Sequence, residues 1–155
     1  MVIERRVDEG AVRAALADVP DPELPVVSVV DLGIVHRVEV TDDAIRVDLL
    51  PTFVGCPALD VIRSAVGDRL AAFGRPVEVE FTFAVPWTSD RISPAGLERL
   101  RSVGIAPPVG PGGSPACPWC GSTDVALDNL FGPTQCRSLH FCRSCRQPFE
   151  GLKAV

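Results

Sequence analysis

Ala44-Ile-Arg-Val-Asp-Leu-Leu-Pro-Thr-Phe-Val-Gly-Cys-Pro57 runs from an alternating strand pattern, through a short loop, to the opening of a helix. Ile45, Val47 and Leu49 alternate with Arg46 and Asp48, the period of a strand with one wet face. Residues 57–73 then carry Leu59, Ile62, Val66, Leu70 and Phe73 at steps of three and four, a single apolar stripe along a helix. Between the two lies Thr52-Phe-Val-Gly-Cys-Pro57, which holds the first of the six cysteines. Proline suits a first helical turn because it has no amide proton to leave unpaired, so the expectation is that Pro57 opens the helix and Cys56 caps it. A thiol there faces free backbone N–H groups and the positive helix end, which favour the thiolate. Such a sulfur can attack an electrophile or hold a soft metal; the plain alternative is a small buried apolar residue.

Working outward, residues 34–40 alternate in the same way as residues 44–50, and Thr41-Asp-Asp43 between them has turn chemistry, giving a β-hairpin. His36 reads as structural. Residues 76–84 alternate Val77, Val79, Phe81 and Phe83 with Glu78, Glu80 and Thr82, a third half-buried strand, after Gly74 has ended the helix. Upstream, Asp8 can cap a short helix with Val12, Ala15, Leu16 and Val19 on one face, ending at Val19-Pro20. The loop Asp21-Pro-Glu-Leu-Pro25 presents Asp21 and Glu23 on a backbone stiffened by two prolines; an ordinary solvated turn explains it equally well. The fold class is α/β (α+β): α-β-β-α-β, a small mixed three-stranded sheet with helices on one face.

Beyond that sheet, Trp87 reads as a core lid, and Ser93-Pro94 caps a short helix that stops at Gly104. Residues 105–116 are rich in proline and glycine, so the expected domains are 1–104, a linker over 105–116, and a module over 117–155. Cys117-Pro-Trp-Cys120 and Cys142-Arg-Ser-Cys145 are two Cys-x-x-Cys knuckles, the pattern of a zinc ribbon in which four thiolates hold Zn2+ tetrahedrally. So short a segment cannot bury enough apolar surface alone, and the metal supplies folding free energy. Cys136 and His140 stand as alternate ligands; strands are expected over residues 123–127 and 135–141.

The net charge of -5 lies on the acidic side, and neither part of the chain carries the basic patch of a nucleic-acid binder. Met1-Val-Ile-Glu-Arg-Arg-Val-Asp lacks the apolar run of a signal peptide, and no stretch is long enough to span a bilayer, so a cytoplasmic protein with reduced thiols is expected.

Taken together, Asp21-Pro-Glu-Leu-Pro, Ser28-Val-Val-Asp-Leu-Gly-Ile-Val35, Thr52-Phe-Val-Gly-Cys-Pro57, Pro86-Trp-Thr-Ser-Asp90 and the tail with Cys136-Arg-Ser-Leu resemble the PaaD family of phenylacetate-degradation proteins, which accompany phenylacetyl-CoA epoxidase subunits. The first domain is similar to the wider family of SufT-type iron–sulfur assembly factors. Arg91 departs from relatives that carry an apolar or aromatic residue there. The resemblance implies a maturation role for an iron–sulfur or di-iron centre of a multicomponent oxygenase, with oxygenase subunits as client and Cys56, Thr52, Asp21 and Glu23 as the site. Transient iron or an iron–sulfur cluster would be the cargo. Since clusters usually take four protein ligands, a lone Cys56 needs help from a second protomer in a homodimer, a client, a small thiol or Asp21. Two other readings remain at this point. One is a thiol enzyme built on Cys56, for which neither histidine is placed by sequence as a base. The other is a zinc-ribbon nucleic-acid module.

Overall fold

A computed structural model describes residues 6–52, 55–110 and 113–153. The chain forms two compact units, Met1–Trp87 and Thr88–Val155. In the first unit α1 (Glu9–Leu16), β1 (Val35–Val40), β2 (Ile45–Leu49), α2 (Ala58–Ala71) and β3 (Val77–Phe81) follow the expected order. The sheet is β1-β2-β3, with β1 antiparallel to β2 and β2 parallel to β3, so α2 is the crossover that a parallel pair requires.

Register explains the amphipathicity. Ile45, Val47 and Leu49 of β2 stand opposite Val77, Val79 and Phe81 of β3, while Val40, Val38 and Val35 of β1 flank them on the other side. A bulge between Val35 and Arg37 lets Val35 and Val38 both bury although they are three residues apart; His36 sits half-buried within it. Both helices pack on this apolar side, α1 through Val12, Ala15 and Leu16 and α2 through Ile62, Val66 and Leu70. Burying each large aliphatic side chain among these contributes about 1.5–3 kcal/mol. The opposite face carries Arg37, Glu39, Arg46, Asp48, Glu78 and Glu80, with Arg46 paired to Glu78 at 2.7 Å.

Helix α1 starts as expected, Asp8 accepting the Ala11 amide at 2.8 Å, but it ends at Leu16 rather than at Val19. The Asp18 and Val19 amides bond to Ala15 and Leu16 carbonyls in a tighter turn that still buries Val19. Between α1 and β1, Ser28 and Asp31 cap each other: the Asp31 amide donates to Ser28 Oγ and the Ser28 amide to Asp31 Oδ2. Trp87 closes this core, with Nε1 donating to the Leu32 carbonyl at 2.7 Å.

The second unit begins earlier than the sequence suggests. The division falls after Trp87, not after Gly104, so α3 (Pro94–Ser102) belongs with the cysteine-rich module. Residues 105–116 are not wholly linker, because Ile105–Ala106 forms β4, parallel to β7 (Pro148–Leu152). The sheet order is β4-β7-β6-β5, where β5 is Val125–Asn129 and β6 is Arg137–Cys142. The two expected ribbon strands thus lie one or two residues later in the chain, a shift of the size usual at strand ends. Strand β7 escapes the sequence pattern because its proline and glycine resemble a loop, yet proline is tolerated at the first position of a strand. Among the described residues, no helix is long and apolar enough to cross a membrane.

Candidate metal centre and cysteine loop

The two knuckles converge. The sulfurs of Cys117, Cys120, Cys142 and Cys145 all lie within 4.8 Å of one another. Across the knuckles, Cys117 and Cys145 Sγ are 3.7 Å apart and Cys120 and Cys142 Sγ 3.6 Å. A tetrahedral zinc with Zn–S bonds of about 2.3 Å sets its sulfurs roughly 3.8 Å apart, so the donor set fits that ion in both chemistry and spacing.

Local backbone builds each knuckle. The Gly121 amide donates to the Cys117 carbonyl at 2.8 Å, and the residue after each second cysteine turns left-handed, Gly121 at φ 77° and Arg146 at φ 59°. Glycine accepts that conformation without cost, whereas arginine is strained there. The knuckles are also tied to each other, through Ser122 and Ser144 hydroxyls at 2.8 Å and through Arg143 to Asp124 at 2.9 Å. Beneath them, Cys117 and Cys142 are buried with Ala106 and Phe149, while Val125 and Cys145 pack alongside. The backbone amide of Cys145, donating toward its sulfur, holds the Cys142 thiol down to about 7, whereas burial pushes Cys145 up to about 12. Thiols must give up their protons to bind a metal ion, which makes metal binding at such a cluster pH-dependent.

The alternates are engaged elsewhere. Cys136 Sγ lies 3.1 Å from the Thr134 hydroxyl, and His140 Nε2 lies 2.8 Å from Ser138 Oγ. The His140 ring stacks on Phe149, centroids 5.2 Å apart, and burial lowers its pKa. Among the described residues, the converging thiols are the four knuckle sulfurs.

In the first unit, Cys56 sits one residue further from the helix than its sequence context suggests. Pro57 is the N-cap, in helical conformation at φ -67° and without a side-chain cap, and the Leu59 amide reaches back to the Cys56 carbonyl at 3.3 Å. Having no amide proton, Pro57 can precede the first full turn as well as open it. Gly55 adopts φ 81°, a left-handed conformation that suits glycine, and turns the chain so that the half-buried Cys56 precedes α2. Phe53 and Val54 of this loop lie outside the described residues. Thr52 is half-buried at the bend that leaves β2.

Asp21 is buried rather than solvated. Its Oδ1 accepts the Glu23 amide at 2.9 Å and the Leu24 amide at 2.8 Å, while its own amide donates to the Val27 carbonyl. The carboxylate thus organises the loop that presents half-buried Glu23. Asp21 and Glu23 share one turn, and Thr52 and Cys56 share the loop between β2 and α2. The Ser28-x-x-Asp31 pairing is a feature that the reading of the sequence misses, although its spacing is that of a capping box.

Comparison with known proteins adds to this geometry. Residues 9–81 match the family described as iron-sulfur cluster assembly protein, and residues 109–153 match that described as PaaD zinc beta ribbon domain. An Escherichia coli protein named as a putative subunit of 1,2-phenylacetyl-CoA epoxidase is 36% identical over 149 residues, covering 92% of this chain and 90% of its own. A crystal structure of a domain of unknown function from Bacillus anthracis superposes with TM-score 0.53 at 30% identity, over 57% of this chain and 86% of that one. A conserved hypothetical protein from Thermotoga maritima gives TM-score 0.53 at 34% identity, over 63% of this chain and 95% of that one.

Proposed function

This chain belongs to the PaaD family, and from that premise we propose that it is an accessory maturation factor for the metallocentre of a phenylacetyl-CoA epoxidase-type oxygenase. The metallocentre is an iron–sulfur or di-iron site on the client subunits, and the pathway is phenylacetate degradation. The observation that carries this reading is the placement of Cys56. It is half-buried directly before the N-cap of α2, in the unit that matches the iron–sulfur assembly family.

The two units divide the work. The knuckle cysteines hold Zn2+ with four thiolates, a closed coordination that leaves no open position for substrate and so serves structure. Cys56 lies outside that donor set. One thiolate does not hold a cluster, which usually takes four protein ligands, so Cys56 acts in transfer together with ligands from the client or a second protomer. Asp21 keeps its own turn in shape through the amides it accepts, and Glu23 and Thr52 serve as client contacts. The boundary after Trp87 separates the delivery unit from the unit that carries the ribbon, which extends from Thr88.

The test is to purify the epoxidase subunits from cells with and without this chain. The reading expects an iron-poor, inactive client in its absence, recovering when the chain and ferrous iron are added, with inorganic sulfide also supplied for an iron–sulfur centre. A client that is fully metallated without the chain ends the proposal.

A further inference from the structure

Helix α3 packs on strand β4, and β4 with the turn before it packs on the ribbon through contacts that converge on the thiol cluster. Gly104 follows α3 in left-handed conformation, φ 78°, and the Trp119 indole lies against it so closely that a Cβ at Gly104 would collide with the ring carbon Cζ2. Trp119 belongs to the first knuckle, between Cys117 and Cys120, and its Nε1 donates to the Pro148 carbonyl at 3.2 Å. The Glu150 amide donates to the Gly104 carbonyl at 3.2 Å, and Ile105 and Ala106 pair with Glu150 and Gly151. Ala106 is fully buried in the same small cluster as Cys117, Cys142 and Phe149. Each of these attachments of β4 and of the end of α3 thus runs to the knuckles or to β7.

We propose that the metal centre is a clasp for residues 94–106. Thiolate coordination fixes the first knuckle, which seats Trp119 on Gly104 and Ala106 on Cys117 and Cys142, so α3 and β4 are held only while the ion is bound. The clasp rests on the four-thiolate metal reading given above. Its two halves are linked: if metal binding orders the segment, loosening the segment must weaken metal binding by the same factor. Gly104 and Trp119 are therefore positioning residues for the metal centre although neither is a ligand, and α3 becomes an element that reports metal occupancy.

The experiment uses the full chain with zinc. Amide hydrogen exchange is followed over residues 94–106 before and after chelation, and zinc affinity is measured for wild type, Gly104→Ala, Trp119→Ala and the double variant. Chelation is expected to speed exchange in 94–106 by at least about tenfold. Gly104→Ala, which forces the indole away, is expected to weaken zinc binding by about tenfold, inside the roughly 5- to 150-fold span of ordinary site coupling. In the Trp119→Ala background the same substitution retains only the effect of its left-handed backbone, so the two changes are not additive. A segment that keeps its protection after chelation, or a Gly104→Ala protein with unchanged zinc affinity, overturns the clasp and leaves the metal reading standing. A full chain that binds no zinc overturns both.

Discussion

The two units are assembled from different raw materials. In Met1–Trp87 the interior is made of large aliphatic side chains, with Leu16, Ile34, Ile45, Leu49, Leu50, Val66 and Leu70 all fully buried between a sheet and two helices. Thr88–Val155 also buries Ile92, Leu100, Ile105 and Leu152, but around its knuckles the buried cluster is Ala106, Cys117, Cys142 and Phe149, two of them knuckle thiols. The first unit can close on hydrophobic burial alone. The ribbon's cluster is too small for that, and its backbone order depends on an ion that crosslinks residues far apart in sequence. Four of the six cysteines gather in the ribbon cluster, while Cys56 lies in the aliphatic unit.

That contrast can be broken most forcefully by chelation. Structural zinc sites carry apparent binding free energies of about 10–16 kcal/mol, so removing the ion should unfold the ribbon and leave the first unit intact. Backbone amide signals assigned to each unit, followed through a chelator titration, check this; concerted loss in both units would erase the distinction. The reverse perturbation is Leu70→Ala. It should cost the first unit about 2–5 kcal/mol, read by denaturant unfolding, while zinc affinity stays unchanged.

Within the ribbon the knuckles themselves differ, and smaller effects resolve them. Gly121→Ala has open space for its methyl group but a φ of 77°, so it should destabilise the ribbon by about 1–2 kcal/mol through backbone strain. Arg146→Gly relieves the same strain in the other knuckle and should stabilise by less than about 1 kcal/mol. Opposite signs in thermal unfolding of the zinc-loaded protein are the expected result; equal signs would mean that Arg146 is held by contacts and not merely tolerated. Asp8→Ala, which removes a cap from α1 on the surface of the first unit, should cost about 1 kcal/mol, measured by the unfolding transition of that unit.

Much of this arrangement is legible in the order of residues. The apolar stripe of α2, the hairpin of β1 and β2, and the two knuckles each repeat a local period or spacing, and local patterns survive folding. What escapes has no period to display. A two-residue strand such as Ile105–Ala106 exists only because β7 lies beside it, and the proline- and glycine-rich stretch around it resembles a linker. The left-handed turn at Arg146 and the seating of Trp119 on Gly104 likewise depend on tertiary neighbours. In the candidate site, Cys56 does lie in a loop before α2, but Pro57 rather than Cys56 is the cap. Asp21 has the sequence surroundings of a solvated turn, and burial with two accepted amides gives it a structural duty that those neighbours do not reveal.

In the proposed role, the ribbon cysteines hold a structural ion and Cys56 takes part in transferring another. The most direct test is metal analysis of the epoxidase complex co-purified with wild-type chain and with Cys56→Ser. The prediction is one zinc per chain in both preparations, with iron in the client present for wild type and lost for the variant. Undiminished client iron with Cys56→Ser, at equal zinc content, would contradict it.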